Sequence, residues 1–368
     1  MNIIHKSTLS VLMASSGVFE CKTFVTLEQM KQVYAFAKRH AVSGLVANAV
    51  QCGMVKIDND DCTEDKTDLL MLMMGDRRKL EQFGKEAEDA LEQLVLLFQA
   101  ENVDFVIFKG LAVAANYVNP EARNVGDVDF FVPKWDYERA QLLIERRLDV
   151  QIERCKVDKH DSFCYKRIRF EMHYQMETFG CPSHQRYFDR LAVECIRNGR
   201  LQYFELRSGV KVPYLDKDLD LMLVFKHMFN HLIGQGVGLR QLTDVVVLLK
   251  TYSSHIDIEC LRKHLKKIGY LKAFDAMVAL AGRYYIVKWE EYKRYLTATD
   301  FNMGDVMMAD VLKNGNFGRS KYRNSSGWQK RMETMLFFFS NCRKFFRLAP
   351  WDIACLIPRR ICISLRAH

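Results

Sequence analysis

Gly126-Asp127-Val128-Asp129-Phe130-Phe131-Val132 is the stretch that decides the fold. Alternate residues of a β-strand project from opposite faces. Read as a strand over 127–132, the segment sends Val128, Phe130 and Val132 into a core and leaves Asp127 and Asp129 together on the other face. Two carboxylates two positions apart stand roughly 6.5–7 Å apart along a strand, about twice the per-residue rise. Their oxygens can converge on one or two hard cations, and magnesium takes such donors while keeping positions for phosphate oxygens. Without a cation the pair is uncomfortable, because like charges raise a carboxyl pKa. The plainer alternative is a D-x-D at an exposed strand end, held by turn hydrogen bonds or water.

Upstream, Asp104–Phe108 (DFVIF) reads as a short buried strand that ends at Lys109-Gly110. A helical pattern over Leu111–Val118 follows, and Asn119-Pro120 breaks it. A glycine at a strand-to-helix turn lets backbone N–H groups approach a phosphate at the helix N-terminus; a simple strand cap is the alternative. Arg123 lies four residues before Asp127, where it can reach a triphosphate or form a surface ion pair. Downstream, Pro133 ends the strand and prepares a helix over 134–147. Further strands are expected at Val150–Glu153, Phe163–Arg167 and Arg169–Gln175. In the last, Phe170, Met172 and Tyr174 face the core while Glu171 and His173 face the opposite way. Glu171 is therefore a candidate third carboxylate, or else the partner of a local arginine.

The flanks read as helical. Residues 1–75 carry helix-like spacing, and Asp76–Ala100 places Leu80, Phe83, Ala87, Leu91, Leu94 and Phe98 on one amphipathic face. Asp216 is a plausible helix N-cap, and strong helical patterns follow at Leu219–Leu232, Leu239–Tyr252 and Ile258–Tyr285. His227, Asn230 and His231 share a helix face. Histidines four apart can bind a metal, but they lack a carboxylate companion, and polar packing against a cleft is the expectation. Arg240 and Asp244, also four apart, suit an intrahelical ion pair.

Taken together, K-G-L-A at 109–112, Arg123, G-D-V-D-F-F-V at 126–132 and F-E-M-H at 170–173 resemble the DNA polymerase β-like nucleotidyltransferase superfamily. The likeness is greatest to a bacterial branch of large, mostly uncharacterised nucleotidyltransferases. It covers roughly residues 80–250 and extends to the Gly315–Gly318 turn. The resemblance implies an α+β fold, a small mixed sheet with helices, flanked by N- and C-terminal helical segments. The implied divisions are 1–100 helical, 101–215 catalytic core, 216–318 helical and 319–368 tail. It further implies that Asp127, Asp129 and Glu171 hold Mg²⁺, or Mn²⁺, against the phosphates of an NTP such as ATP. Lys109, Gly110 and Arg123 would then hold the triphosphate, with His173, His227, Arg240 and Asp244 at the cleft's second tier. An NMP would pass to an acceptor hydroxyl on a small molecule, sugar, protein or RNA. Where the superfamily's turn has an apolar residue, Gly, then Gly or Ser, this chain has Leu111 after Gly110, unless Lys109 takes the first glycine's place. That irregularity keeps open a catalytically degenerate nucleotide- or partner-binding module of the same fold.

The 368 residues suit two or three domains. Hydrophobic residues at 49% and charged at 27% exclude a disordered or collagen-like chain. The net charge of +9 resides in residues 319–368, which hold 11 Lys and Arg against 2 Asp and Glu, so the body is formally neutral. This tail, with its eight aromatics, suits nucleic-acid phosphate, an anionic membrane surface, or a helical cap packed on the body. The 11 cysteines are odd in number, scattered and without a C-x-x-C pair, which suits free thiols in a reducing cytoplasm. No apolar run approaches the length of a membrane helix, and Leu9–Met13 makes a poor signal segment.

Overall fold

A computed structural model describes residues 1–18, 23–58, 63–155, 159–315 and 327–366. Residues 316–318 of the Gly315–Gly318 turn and 319–326 of the tail lie outside the described residues. The chain opens with α1 (Ile3–Ser15), β1 (Thr23–Val25), α2 (Leu27–Arg39), α3 (Ser43–Gln51) and β2 (Val55–Ile57), the two strands pairing in parallel. The long α4 (Thr63–Ala100) follows, starting well before the expected Asp76.

The centre comprises β3 (Val106–Ile107), the single-turn α5 (Gly110–Ala114), β4 (Val128–Phe131), α6 (Tyr137–Arg147), β5 (His160–Tyr165) and β6 (Ile168–His173). These strands form one mixed sheet in the order β3-β4-β6-β5, in which only β4 and β6 run parallel. Val150–Glu153 is not a strand; Glu153 makes a lone bridge to Ser162. Then come α7 (Pro182–Arg197) and the hairpin of β7 (Leu201–Glu205) and β8 (Lys211–Leu215), neither of which the pattern had led us to expect.

The remainder is helical: α8 (Lys217–Gly234), α9 (Leu239–Tyr252), α10 (Ile258–Lys267), α11 (Leu271–Tyr284), α12 (Glu290–Lys293), α13 (Ala298–Asn314), α14 (Gly327–Phe345) and α15 (Pro350–Arg366). Asp216 caps α8 by accepting from the Leu219 N–H at 3.0 Å. The expected helix Ile258–Tyr285 breaks in two at Gly269, whose φ of +75° places it in the left-handed region. A Cβ there would also lie 2.6 Å from the His184 ring.

The alternation read from the sequence sorts the sheet's faces. Val128, Phe130, Val132, Phe163, Phe170 and Met172 are buried against Ala87, Leu91, Leu94 and Phe98 of α4. Phe98 meets Phe105 edge-on at 5.1 Å, and Phe163 stacks on Phe170 at 5.1 Å. Each such ring contributes about 1.5–3 kcal/mol by leaving water. Tyr174 departs from the expectation: it lies past the end of β6 and is 38% exposed. A second core joins α1–α3 to α8–α11 and α13, and includes Phe338, Cys342 and Phe345 of α14 and Ile353 of α15. The basic tail is thus docked where it is described, with Asn341 donating to the Leu232 carbonyl at 2.6 Å. Cys195 and Cys342 are buried, and burial pushes both thiols up to about 11, as for cysteines serving as small apolar residues. No helix among the described residues is long and apolar enough to cross a membrane.

One buried acid in α8 makes stability depend on pH. Asp220 is fully buried; its Oδ2 accepts from Tyr252 at 2.9 Å and its Oδ1 has no hydrogen-bond partner among the described residues. Burial pushes the carboxyl up to about 7. Unfolded, the same group titrates near 4, so between about pH 4 and 7 the unfolded chain ionises while the folded one stays protonated. Stability therefore falls as pH rises through that window. Asp220→Asn keeps an acceptor for Tyr252 and removes the titration. We expect it to gain roughly 1–3 kcal/mol over the wild type at pH 8, by urea unfolding, and to lose that advantage by pH 4. An advantage equal at both pH values would refute the assignment.

Candidate active site

The sheet face opposite the apolar one carries the polar cluster. In the parallel register Asp129 stands beside Glu171, and across β5–β6 His160 stands beside His173. Asp127 just precedes β4. With β3 leading into Lys109 and α9 packing behind, these residues line a cavity of about 500 Å³, a size ordinary for small-molecule sites. Lys109, Gly110, Arg123, Asp127, Asp129, Glu171, His173, His227, Arg240 and Asp244 all line it.

Lys109 has φ +59° and ψ −141°, a conformation that is otherwise close to glycine's own. It therefore stands where a glycine would be conformationally at ease, and Gly110 follows at φ +24°, its Cβ position 3.4 Å from the Asp127 carbonyl. Strain of this kind costs about 1–3 kcal/mol. It carries the Lys109 ammonium to 3.4 Å from Asp129. Because α5 is a single turn, the cation rather than a helix dipole supplies most of the positive field here.

The electrostatics separate the carboxylates. Burial alone would raise Asp129, but Lys109 and the His173 Nε2 at 2.9 Å outweigh it and hold the carboxyl far below its usual range. Asp127 goes the other way, raised by burial and by the neighbouring Asp129 and Glu171 charges. Glu171 is lowered: His173, 3.6 Å away, and His160 overcome burial and Asp129. One carboxyl of the set is thus short of positive charge. One set of donors fits a divalent cation: His160, Glu171 and His173, whose ligand atoms lie within 4.8 Å of one another.

Arg123 is buried and bonds Asp244 through two nitrogens, at 2.7 and 2.8 Å, and Tyr117 adds a third bond to that carboxylate at 2.8 Å. This corrects two expectations. Arg123 is not in a surface pair, and Asp244 does not pair with Arg240 along α9. The fork-shaped guanidinium of Arg123 fits the carboxylate in two bonds, and Arg240 instead donates to the Asn124 carbonyl at 3.1 Å. Arg123 Nη1 and Arg240 Nε are buried without a partner among the described residues. Both side chains line the cavity and bring positive charge to its wall.

Four further residues were not expected: Lys159, His160, Glu177 and Arg360. Glu177 is buried and accepts from Lys159 at 2.7 Å, Asn230 at 2.9 Å and His227 Nδ1 at 2.8 Å. Against burial, Lys159 and His227 hold its carboxyl well below the usual range. His227 is itself pushed down to about 4 by burial and Lys109, and so is neutral at pH 7. With Nδ1–H donated to Glu177, its Nε2 accepts from His231 Nε2–H at 3.1 Å. The two histidines of α8 are thus tied to each other and to Glu177. Glu177 shares the odd-numbered parity of Glu171 and His173, a signal available in the sequence, but it lies beyond the end of the strand. Lys159 and Arg360 carry no local signal.

A helix-flanked mixed sheet thus carries an acidic, cation-rimmed cavity on the polar face of β4 and β6. The chain belongs to the family described as uncharacterised nucleotidyltransferase, whose family model matches residues 27–285. Among solved structures it is similar to an antigenic nucleotidyltransferase-like protein from Paracoccidioides brasiliensis, at 13% identity over 59% of this chain and 97% of that one, with a TM-score of 0.36. Comparison with curated proteins yields no match.

Proposed function

We propose that the protein is a Mg²⁺-dependent nucleotidyltransferase that moves an NMP from an NTP to an acceptor hydroxyl. The observation that carries this reading is the meeting of Asp127, Asp129 and Glu171 on one sheet face, at a cavity whose other walls supply Lys109, Arg123 and Arg240. Asp127, Asp129 and Glu171 would hold Mg²⁺, which when bound neutralises phosphate charge. His160 and His173 beside Glu171 add imidazole donors that also suit Mn²⁺. Lys109, Arg123 and Arg240 on the cavity wall supply positive charge for the triphosphate oxygens and are already in place before reaction. The acceptor oxygen bonds to the α-phosphorus, the bond from that phosphorus to the bridging oxygen breaks, and pyrophosphate leaves. Glu171 positions the acceptor hydroxyl and takes its proton.

One observation favours the degenerate alternative: Asp129 is already paired with Lys109 and His173. Labelled NTP separates the two. With Mg²⁺ and a host-cell lysate, α-labelled NTP is expected to leave label on an acceptor with release of pyrophosphate, and γ-labelled NTP to leave none. Tight NTP binding with no transfer from any of the four NTPs would favour the binding module. The reading sets the protein in the cytoplasm, where NTPs are. A peripheral position at an anionic membrane is supported by the exposed Leu336, Phe339, Phe346 and Trp351 close to Arg343 and Arg347 in the tail.

A further inference from the structure

Beside the catalytic cavity lies a smaller annex of about 260 Å³ that shares Lys159, His160, Asn230 and Arg360 with it. The two differ in charge. Five carboxylates line the catalytic cavity, whereas no described carboxylate lines the annex. Its cations are Lys159, Arg359 and Arg360, and its apolar wall is Ile233, Phe338 and Leu356. The Lys159 charge is already bonded to Glu177 at 2.7 Å. Arg359 and Arg360 make no ion pair with any described residue. Arg360 lies over the Phe338 ring, 6.0 Å from its centroid, at the junction of the two cavities.

Two guanidiniums with no ion-pair partner among the described residues, beside an apolar wall, recognise a particular shape of ligand. Each fork binds phosphate oxygens in paired, charge-assisted bonds, and the wall accepts a hydrocarbon segment attached to that phosphate. A free phosphate uses only the first of these, and a neutral amphiphile only the second. We propose that the annex binds a phosphate-bearing amphiphile, with the phosphate on Arg359 and Arg360 and the apolar arm on Ile233, Phe338 and Leu356. Its place as the acceptor subsite rests on the nucleotidyl-transfer reading and on the wall the two cavities share, where His160 lies 3.5 Å from Glu171. Its binding of the ligand does not rest on that reading. The docked α15 therefore supplies part of the substrate site, and the positive charge of the tail has a local use.

The test is calorimetric titration of the full chain with dodecyl phosphate below its micelle concentration. Dodecyl maltoside is the neutral amphiphile, and inorganic phosphate and glycerol 3-phosphate are the free anions. Dodecyl phosphate is expected to bind at least tenfold more tightly than any of the three. Arg359→Gln, at an exposed position that does not line the catalytic cavity, is expected to weaken it about tenfold and to leave affinity for a non-hydrolysable NTP analogue unchanged. Leu356→Ala is expected to weaken dodecyl phosphate and spare inorganic phosphate. Equal binding of dodecyl phosphate and dodecyl maltoside would overturn the proposal, as would equal binding of dodecyl phosphate and glycerol 3-phosphate, or indifference to Arg359→Gln in a variant of wild-type circular dichroism. Retained dodecyl phosphate binding without label transfer from any NTP would uphold the annex and sink the transferase reading alone.

Discussion

Asp127→Asn combined with Asp129→Asn is expected to lower Mg²⁺-dependent label transfer by about a hundredfold to a thousandfold. A single preorganised group acting on developing charge is worth roughly 10²–10³ in rate, and groups that act as a unit do not add, so the pair should cost little more than the worse single variant. The fold should survive. Asp127 is raised by burial and by Asp129 and Glu171, so in the absence of a cation its charge opposes folding, and removing it relieves that repulsion. At 129 the asparagine can still accept from His173, and Lys109 keeps Glu177 and Glu171 as nearby anions. The double variant should therefore stay folded, its stability without metal set by the relief at 127 against the loss of the Asp129–Lys109 pair, and should lack the rise in melting temperature expected of the wild type with Mg²⁺ and NTP. Transfer and Mg²⁺-linked stabilisation that both persist in the variant would remove these two residues from the metal site. A wild type that binds NTP but never transfers would leave the binding module.

The second large effect concerns the tail. Asp352 of α15 is fully buried and receives the Cys181 N–H at 2.9 Å, the Tyr270 hydroxyl, and Lys226 at 3.6 Å. Lys226 is itself fully buried, and donates to the Thr178 carbonyl at 2.9 Å. Burial pulls this ammonium down to about 8, with Asp352 the chief opposing influence. Asp352→Ala leaves that cation without its counter-charge, and removing one partner of a buried pair typically costs about 3–5 kcal/mol. We expect a loss of that size in urea unfolding, with α15 becoming cleavable by protease ahead of the body. Asp352→Asn keeps one accepting oxygen without the charge and should lose less. A change under about 1 kcal/mol for Asp352→Ala would show that the pair does not hold α15 in place.

Both predictions combine what is local in the chain with what is not. The alternation in Gly126–Val132 and in Arg169–His173 is a period-two signal that any strand must obey once one face is buried. It was enough to place Asp127, Asp129, Glu171 and His173 on the face opposite Phe130, Phe170 and Met172. Helix periodicity likewise placed α8 and α9 within a few residues. It failed at Ile258–Tyr285, because a single glycine with positive φ outweighs an unbroken apolar stripe.

The sequence by itself placed Asp127 and Asp129 two positions apart, set Glu171 on the polar side of a second strand, and located the charge excess. Only the tertiary structure decided partners. Asp244 chose Arg123, 121 residues away, over Arg240 one turn away, because packing α9 against the sheet brought a two-bond geometry that a helix surface cannot offer. Glu177 met His227 and Lys159 because burial leaves a carboxylate no solvent to bond with. A charge count of +9 could describe the tail but not dock it. Docking came from Asp352, one of its only two acids, which packing buried against Lys226. Periodicity is written residue by residue, whereas a partner exists only once separate elements have closed on each other.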